Sequence, residues 1–279
     1  MREFRPGGFQ VLPPLVKNII IINVLVFAAQ NFIGNPKLAI GDFITDEFAL
    51  HSWNSPLFRF WQPFTYMFMH GGFSHILFNM FAVWMFGSVL ENVWGAKRFL
   101  FFYIVCGLGA AVAQLLVQYF QQAALINEWN ALKFDFNPTS FQQFYVKYLR
   151  NLDDGGGIAQ SFKNWIADPS NNSYADTLIM NADTGVKISL SIPTIGASGS
   201  VFGLLVAFGY LFPNTLISIY FLFPVKAKWF VLGYAAIELF NSLQNSATDN
   251  VAHVAHLGGA LIGFILVFIW NKTNRQQFY

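Results

Sequence analysis

The hydropathy pattern of this chain consists of long apolar stretches separated by polar segments. Six of these stretches approach or reach the roughly 20 residues that a membrane-spanning helix requires. They cover residues 16–33, 75–93, 99–120, 195–212, 229–243 and 251–270. The pattern predicts an all-α membrane protein, built as a bundle of six transmembrane helices.

The longest polar segment lies between the third and fourth apolar stretches, at residues 121–191. Its clusters at 153–157 and 168–172 are rich in Gly, Asp, Asn and Pro and are typical of turns. Residues 140–152 alternate aromatic and polar side chains, which predicts a short amphipathic helix on the membrane surface. No part of the segment is apolar enough to span a membrane, so we expect a long extracytoplasmic loop.

This pattern divides the chain into three parts. We expect a cytoplasmic segment at 1–15, a six-helix membrane domain at 16–270 with 121–191 as a loop insertion, and a cytoplasmic tail at 271–279. Most of the 16 Lys and Arg residues lie in the segments predicted to be cytoplasmic, as the positive-inside rule requires. Short loops, small size and the lack of an organelle presequence favour a bacterial inner membrane.

The composition supports a lipid bilayer as the surroundings of the chain. Of its 279 residues, 55% are hydrophobic and 11% are charged, against roughly 25% charged in an ordinary soluble domain. The net charge of +2 gives no reason to expect nucleic acid as a partner. The single cysteine, Cys106, excludes a disulfide within the chain and a cysteine-based metal site.

Polar residues lie near the outer ends of three predicted spans. His75 and Asn79 lie at the start of the second span, Ser198 lies three residues into the fourth, and His256 lies five residues into the sixth. At about 1.5 Å rise per residue, all four lie at a similar depth in the outer half of the bilayer. Since ionisable residues are costly inside a membrane and tend to mark function, we expect them to form one site.

Glycines accompany Ser198 and His256 at the spacing of close helix contacts. They are Gly196, Gly199 and Gly203 in the fourth span, and Gly259 and Gly263 in the sixth. Small residues three or four positions apart let transmembrane helices approach closely. We therefore expect the fourth and sixth spans to bring His256 within reach of Ser198.

A serine beside a histidine predicts acyl transfer, because the histidine takes the hydroxyl proton and activates the serine as a nucleophile. No third residue is obvious, since Asp249 lies seven positions before His256 and is expected in water, so a dyad is favoured over a triad. The Asn79 amide, the His75 imidazole and the Ser198 backbone N–H are candidate donors to the oxyanion. This chemistry requires no metal and no cofactor.

Three separated motifs resemble those of the rhomboid family. Gly196-Ala197-Ser198-Gly199 resembles its G-x-S-G motif, the residues from Ala255 and His256 through Gly259 to Gly263 resemble A-H-x-x-G-x-x-x-G, and His70, His75 and Asn79 match H-x-x-x-x-H-x-x-x-N. The resemblance covers roughly residues 61–270 apart from the long loop. It implies an intramembrane serine endopeptidase that cleaves transmembrane substrates near their extracytoplasmic end. On this resemblance Ser198 is the nucleophile, His256 the general base, and His75 and Asn79 stabilise the oxyanion.

The chain departs from the family pattern at two positions. Many members carry Arg after the tryptophan of the first outside loop, where this chain has Trp61-Gln62. Many also carry Tyr four residues after the serine, where this chain has Phe202. Phenylalanine can stack on the His256 ring but has no hydroxyl, so the resemblance alone does not explain how the base is positioned.

Two other functions are compatible with parts of the pattern. A catalytically silent rhomboid-like protein would bind client transmembrane helices without cutting them. A metal-dependent membrane protein would use His70, His75, His253 and His256, although this set has no obvious intramembrane carboxylate or thiolate partner. No feature specifies a substrate or an oligomeric state.

Three further polar residues have simple structural interpretations. We expect His70 to hold the first outside loop in place. Glu91 near the end of the second span suggests an ion pair with Lys97 or Arg98, or a contact with a helix terminus. Glu238 lies deep in the fifth span, where a hydrogen bond to a neighbouring helix is the main interpretation and a role in a lateral gate is the alternative.

Overall fold

The computed structural model describes residues 8–32, 43–153, 155–219, 223–244 and 252–273. Helices in the first half are α1 Pro14–Phe32, α2 Phe43–Phe48, α3 Gln62–Thr65, α4 Phe73–Ala82, α5 Ser88–Trp94 and α6 Ala96–Phe134. A 3-10 turn at Tyr66–Phe68 follows α3, and a π turn at Val83–Gly87 joins α4 to α5.

The second half continues with α7 Pro138–Phe144, a π turn at Tyr145–Leu149, a 3-10 turn at Arg150–Leu152, α8 Gly157–Ala167 and α9 Asn172–Leu190. It then forms α10 Ser198–Leu211, a hairpin of β1 Leu216–Ile219 and β2 Phe223–Lys226, α11 Ala227–Gln244 and α12 His253–Thr273. The two strands are antiparallel, with Leu216 opposite Lys226.

Four of the described helical segments are long and apolar enough to cross a membrane: Pro14–Phe32, Phe73–Trp94, Ala96–Phe134 and His253–Lys272. The fourth predicted span forms the shorter apolar helix α10, of 14 residues. The fifth forms α11, whose polar residues, among them Glu238 and Asn241, lower its hydropathy. The all-α membrane fold is confirmed. The helix that contains the third predicted span, 99–120, continues to Phe134.

The chain divides into two compact units. The first contains residues 1–50, 60–114 and 194–279, and the second contains residues 51–59 and 115–193. All the predicted site residues belong to the first unit. The predicted cytoplasmic segment 1–15 and tail 271–279 lie partly outside the described residues, and Asp249 lies wholly outside them.

In the first unit, α10 and α12 touch through their glycines. A Cβ added at Gly259 would overlap the carbonyl oxygen of Gly199, and one at Gly263 would lie 2.7 Å from the Gly203 Cα. The other side of Gly203 faces α6, where an added Cβ would lie 2.5 Å from the Cys106 sulfur. The predicted close packing of the fourth and sixth spans is therefore present, because neither interface has room for a side chain.

Glu91 binds the beginning of α1. Its carboxylate, which is 4% exposed, accepts hydrogen bonds from the backbone N–H of Leu15 at 3.1 Å and of Val16 at 2.8 Å. These are among the N–H groups that have no partner within a helix, and a negative charge is favourable at that end. Of the two interpretations of Glu91, the helix-terminus contact is the one observed.

The first outside loop is tied to the segment before α10. Leu50 and Thr194 exchange backbone hydrogen bonds of 3.0 and 2.8 Å. Gln62, which is fully buried, donates from its amide to the carbonyl oxygen of Asp46 at 3.2 Å, and the Trp61 indole donates to that of Glu47 at 3.0 Å. At the position where the resemblance would place arginine, Gln62 thus holds α2.

In the second unit, most residues of the predicted loop 121–191 are helical, and the extracytoplasmic location of this segment stays a prediction. The end of α6 and the helices α7 to α9 enclose a core of their own, formed by Leu125, Trp129, Leu132, Phe141, Phe144, Leu149, Ile158, Trp165, Leu178, Ala182, Val186 and Leu190. The predicted turns are present between these helices. Residues 140–152 are helical, but their apolar side chains Phe141 and Leu149 are fully buried in this core and are not available to a membrane surface.

Candidate active site

Ser198 is the first residue of α10 and follows a turn that only glycine makes without strain. Gly196 has φ of +129° and donates its backbone N–H to the carbonyl oxygen of Tyr66 at 3.0 Å. L-residues rarely adopt such a φ. At the first helical position, the backbone N–H of Ser198 needs no carbonyl within α10 and lies at the positive end of the helix dipole.

His256 lies in the first turn of α12 and faces Ser198. Its Nε2 is 2.8 Å from the Ser198 Oγ, which is hydrogen-bond distance. The contact joins residues 58 positions apart in the sequence and depends on the glycine interface between α10 and α12. The structure therefore brings together the two residues that the sequence singled out as nucleophile and base.

The other ring nitrogen of His256 contacts Glu238 on α11. The Glu238 Oε2 lies 2.9 Å from the His256 Nδ1 and 2.6 Å from the His253 Nδ1. Glu238 is 4% exposed and the two histidines are 8% and 9% exposed. The hydrogen bond predicted for Glu238 is present, and it is made to the residue that also faces Ser198.

Phe202 covers the face of the His256 ring. The two rings are stacked with centroids 4.4 Å apart and an interplanar angle of 11°. Tyr234 of α11 stacks on Phe202 in turn, at 4.9 Å and 30°. The predicted stacking of Phe202 is confirmed, and the His256 imidazole is held at both nitrogens and at one face.

His75 approaches Ser198 from α4. Its Nδ1 accepts the backbone N–H of Gly71 at 3.3 Å, so a neutral imidazole carries its proton on Nε2. A Cβ added at Gly196 would lie 2.9 Å from the His75 Nε2 and 3.4 Å from the Ser198 Oγ. The donor nitrogen of His75 and the hydroxyl of Ser198 therefore border the same small space beside Gly196.

Asn79 lies one turn after His75 and is 6% exposed. Its Nδ2 donates to the carbonyl oxygen of His75 at 3.1 Å. The amide thus supports the turn that carries the imidazole, and its second N–H remains available. A direct role for Asn79 at the oxyanion stays a prediction.

His70 packs against His75 with ring centroids 5.0 Å apart, and its backbone N–H binds the side chain of Gln30 on α1 at 3.0 Å. Burial and the neighbouring His75 lower the pKa of His70 to about 4. The imidazole is therefore neutral near pH 7. These contacts agree with the expectation that His70 holds the loop before α4.

Within the described part of the chain, one group has the composition of a metal site: Glu238, His253 and His256, whose ligand atoms lie within 4.8 Å of one another. The sequence argument that the histidines have no intramembrane carboxylate partner was therefore wrong. Ligands about 2.0–2.1 Å from a tetrahedral zinc ion lie roughly 3.3 Å apart. The 2.6 and 2.9 Å separations at Oε2 are shorter and are those of hydrogen bonds.

Sequence reasoning missed the relation of Glu238 to His256. The signal was present, because an ionisable residue inside a predicted span marks function by default. The search for a third residue considered Asp249 instead, since it is the acidic residue nearest to His256 in the sequence. A contact between residues 18 positions apart on two helices has no local sequence pattern.

Comparisons with known proteins agree with these motifs. A family model described as the rhomboid domain matches residues 57–125 and 139–273. An uncharacterized mitochondrial rhomboid protein of Schizosaccharomyces pombe is 25% identical over 284 residues, which cover 96% of this chain and 69% of that protein. Mitochondrial rhomboid protein 1 of Saccharomyces cerevisiae is 24% identical over 210 residues, covering 75% and 42%. Rhomboid protease GluP of Bacillus subtilis is 31% identical over 58 residues, covering 21% and 11%.

Two of these relatives are mitochondrial by name and one is a bacterial protein, so the bacterial inner membrane stays a prediction. The chain spans less than half the length of the Saccharomyces cerevisiae relative. The family model, in contrast, matches well over half of this chain, and its matched ranges include Ser198, His256, His75 and Asn79. The chain is an integral membrane protein that belongs to the rhomboid family.

Proposed function

We propose that this protein is an intramembrane serine endopeptidase, with Ser198 as nucleophile and His256 as general base. The observation that carries the proposal is the 2.8 Å contact between the Ser198 Oγ and the His256 Nε2. Family membership supports the same activity, because relatives such as GluP are named as proteases.

In the first step, the Ser198 Oγ attacks the carbonyl carbon of the scissile peptide bond while its proton passes to the His256 Nε2. The negative charge that develops on the carbonyl oxygen requires donors that already point towards it. The backbone N–H of Ser198 and the Nε2–H of His75 border the hydroxyl and are the donors best placed for this task.

In the second step, the tetrahedral intermediate collapses and the protonated His256 gives its proton to the leaving amine. The first product leaves, and Ser198 holds the other half of the substrate as an ester. Water then attacks this ester, with His256 again as base, and releases the acid. A substrate helix must unwind before the first step, because each carbonyl in a helix is hydrogen-bonded and shielded.

The direct test uses purified protein in liposomes with a fluorescent single-span substrate. We expect the wild type to cleave the substrate, and Ser198→Ala and His256→Ala to lose cleavage by several orders of magnitude while remaining folded. A fluorophosphonate probe should label the wild type and leave Ser198→Ala unlabelled. Equal cleavage by all three proteins would end the proposal, and binding of the substrate without cleavage by the wild type would identify a client-binding protein instead.

A further inference from the structure

Glu238 is a buried carboxylate whose one oxygen contacts two imidazoles, at 2.6 and 2.9 Å. A buried ion costs several kcal/mol unless hydrogen bonds compensate it. A hydrogen bond that only connects α11 to α12 does not need a charged group, since a neutral amide can also form it. The arrangement therefore calls for an explanation beyond helix packing.

We infer that Glu238 is a positioning residue for His256: its carboxylate fixes the imidazole in the tautomer with the proton on Nδ1 and stabilises the imidazolium that forms during the reaction. This inference rests on the proposed function and deepens it. It adds a carboxylate to the predicted dyad. Glu238 acts through His256 and is not placed in contact with the substrate.

The shared oxygen favours the ionised carboxylate. A negative charge is stabilised by two N–H donors at once, at 2.6 and 2.9 Å, whereas a protonated carboxyl group could accept from only one of the two Nδ1 atoms and would donate to the other. An ionised carboxylate accepts from both, so each histidine donates from Nδ1. The Nε2 of His256 is then unprotonated and faces the Ser198 hydroxyl as an acceptor, which is the form that a general base requires.

The contacts of the ring explain why the carboxylate is needed here. Phe202 holds the face of the His256 imidazole but has no hydroxyl. Among the described residues, the acceptor of the hydrogen bond from the His256 Nδ1 is the Glu238 carboxylate. A second donor, His253, satisfies the same oxygen and helps to keep the carboxylate ionised.

Each proton transferred between Ser198, His256 and the leaving amine is accounted for. His256 receives the Ser198 proton on Nε2 while keeping its own proton on Nδ1, and the resulting imidazolium lies against the Glu238 carboxylate. Glu238 itself neither gains nor loses a proton. When the leaving amine takes the Nε2 proton, His256 returns to its starting tautomer.

The test compares Glu238→Gln and Glu238→Asp with a matched control. Glu91→Gln removes a second carboxylate that is also 4% exposed but binds backbone N–H groups rather than a histidine. We expect Glu238→Gln to lower kcat at least about 100-fold with little change in KM, and Glu238→Asp to recover part of it. Glu91→Gln should lower thermal stability and leave kcat of the folded protein nearly unchanged.

A double-mutant experiment separates positioning from a structural role. Residues that act as a unit have non-additive effects, so adding Glu238→Gln to His256→Ala should cause no further loss of the residual rate. An additive loss, or a wild-type kcat in Glu238→Gln alone, would overturn the inference. Inactive Ser198→Ala together with fully active Glu238→Gln would refute only this inference, whereas active Ser198→Ala would refute the proposed function itself.

Two measurements on the unmodified protein remain decisive even if the variants do not fold. In NMR spectra of protein with ¹⁵N-labelled histidine, we expect His256 to carry its proton on Nδ1, and a proton on Nε2 in the resting enzyme would overturn the inference. Activity should also survive dialysis against a chelator. Loss of activity that zinc restores would make Glu238 a metal ligand and equally overturn it.

Discussion

At the scale of single residues, Gly196 determines where the nucleophile lies. Its φ of +129° turns the backbone into α10, and the position of a missing Cβ is 2.9 Å from the His75 ring. Backbone geometry and space therefore both exclude a side chain at this position. The result is a serine at a helix N-terminus with an imidazole donor beside it.

We expect Gly196→Ala to abolish most cleavage, because the new methyl group strains the backbone and displaces either His75 or Ser198. The measurement is kcat/KM on the single-span substrate, together with the rate of fluorophosphonate labelling. Gly72→Ala, where an added Cβ has nothing within 4 Å, is the control and should retain activity. Similar rates in both variants would contradict the interpretation of Gly196.

His75 is the second residue whose role can be measured. If its Nε2–H binds the oxyanion, His75→Ala should lower kcat by about 10²- to 10³-fold, as the loss of one such donor does elsewhere. The affinity for the substrate is measured by fluorescence in a Ser198→Ala background, which does not cleave. Adding His75→Ala there should change this affinity little, since the oxyanion exists only during the reaction. A loss confined to binding would assign His75 a structural role instead.

At the scale of helices, the contact between α10 and α12 keeps Ser198 and His256 within hydrogen-bond distance. Gly259 leaves no space for a Cβ against Gly199, so Gly259→Ala must separate the two helices and lengthen the contact between Ser198 and His256. We expect a loss of stability of about 1–3 kcal/mol, as is typical of overpacking, and a large loss of cleavage. Thermal unfolding in detergent and the liposome assay measure the two effects.

Gly233→Ala on α11 is the matched control, because a Cβ at Gly233 has nothing within 4 Å. Alanine is a better helix former than glycine, so this variant should be neutral or more stable by up to about 1 kcal/mol. A similar destabilisation by both substitutions would show that the effect is not specific to the interface of α10 and α12.

The sequence predicted those features that depend on a residue type with one main structural or functional explanation. Glycines at helical spacing predicted the contact of α10 with α12, and polar residues at the outer ends of three spans predicted the pair Ser198 and His256. Most helices of residues 121–191 were not predicted, because they are too short or, like α9, too polar to give a transmembrane signal, and their apolar residues serve a local core. For Glu238, a hydrogen bond to a neighbouring helix was predicted, but His256 was not identified as the partner because the two residues lie on different helices.

At the scale of the whole molecule, residues 51–59 and 115–193 form a unit with its own core. Asp153 precedes α8 in this unit, and its carboxylate accepts from the backbone N–H groups of Ile158 at 3.1 Å and Ala159 at 2.9 Å, in the first turn of that helix. Burial raises the pKa of Asp153, but these hydrogen bonds outweigh it and hold the pKa below its usual value.

The lowered pKa gives this unit a predictable pH dependence. A carboxyl group with a lower pKa in the folded state than in the unfolded state stabilises the fold above the unfolded value, and this stability is lost as the pH falls through the folded value. We expect amide hydrogen exchange in α8 to become faster as the pH falls below about 4, after correction for the intrinsic exchange rate. In Asp153→Asn, protection should be lower at neutral pH and less sensitive to acid. An unchanged pH profile in the variant would contradict this account.

The length of α10 has a consequence for the lipid around the protein. Fourteen residues of helix measure about 21 Å, whereas the hydrocarbon layer of a typical bilayer is about 30 Å thick. If α10 crosses that layer with Leu211 at one boundary, Ser198 lies several ångströms inside the other boundary, and the proposed hydrolysis requires water to reach it there. Thicker membranes lengthen that descent, so turnover should depend on acyl-chain length even when the folded protein and the substrate stay the same.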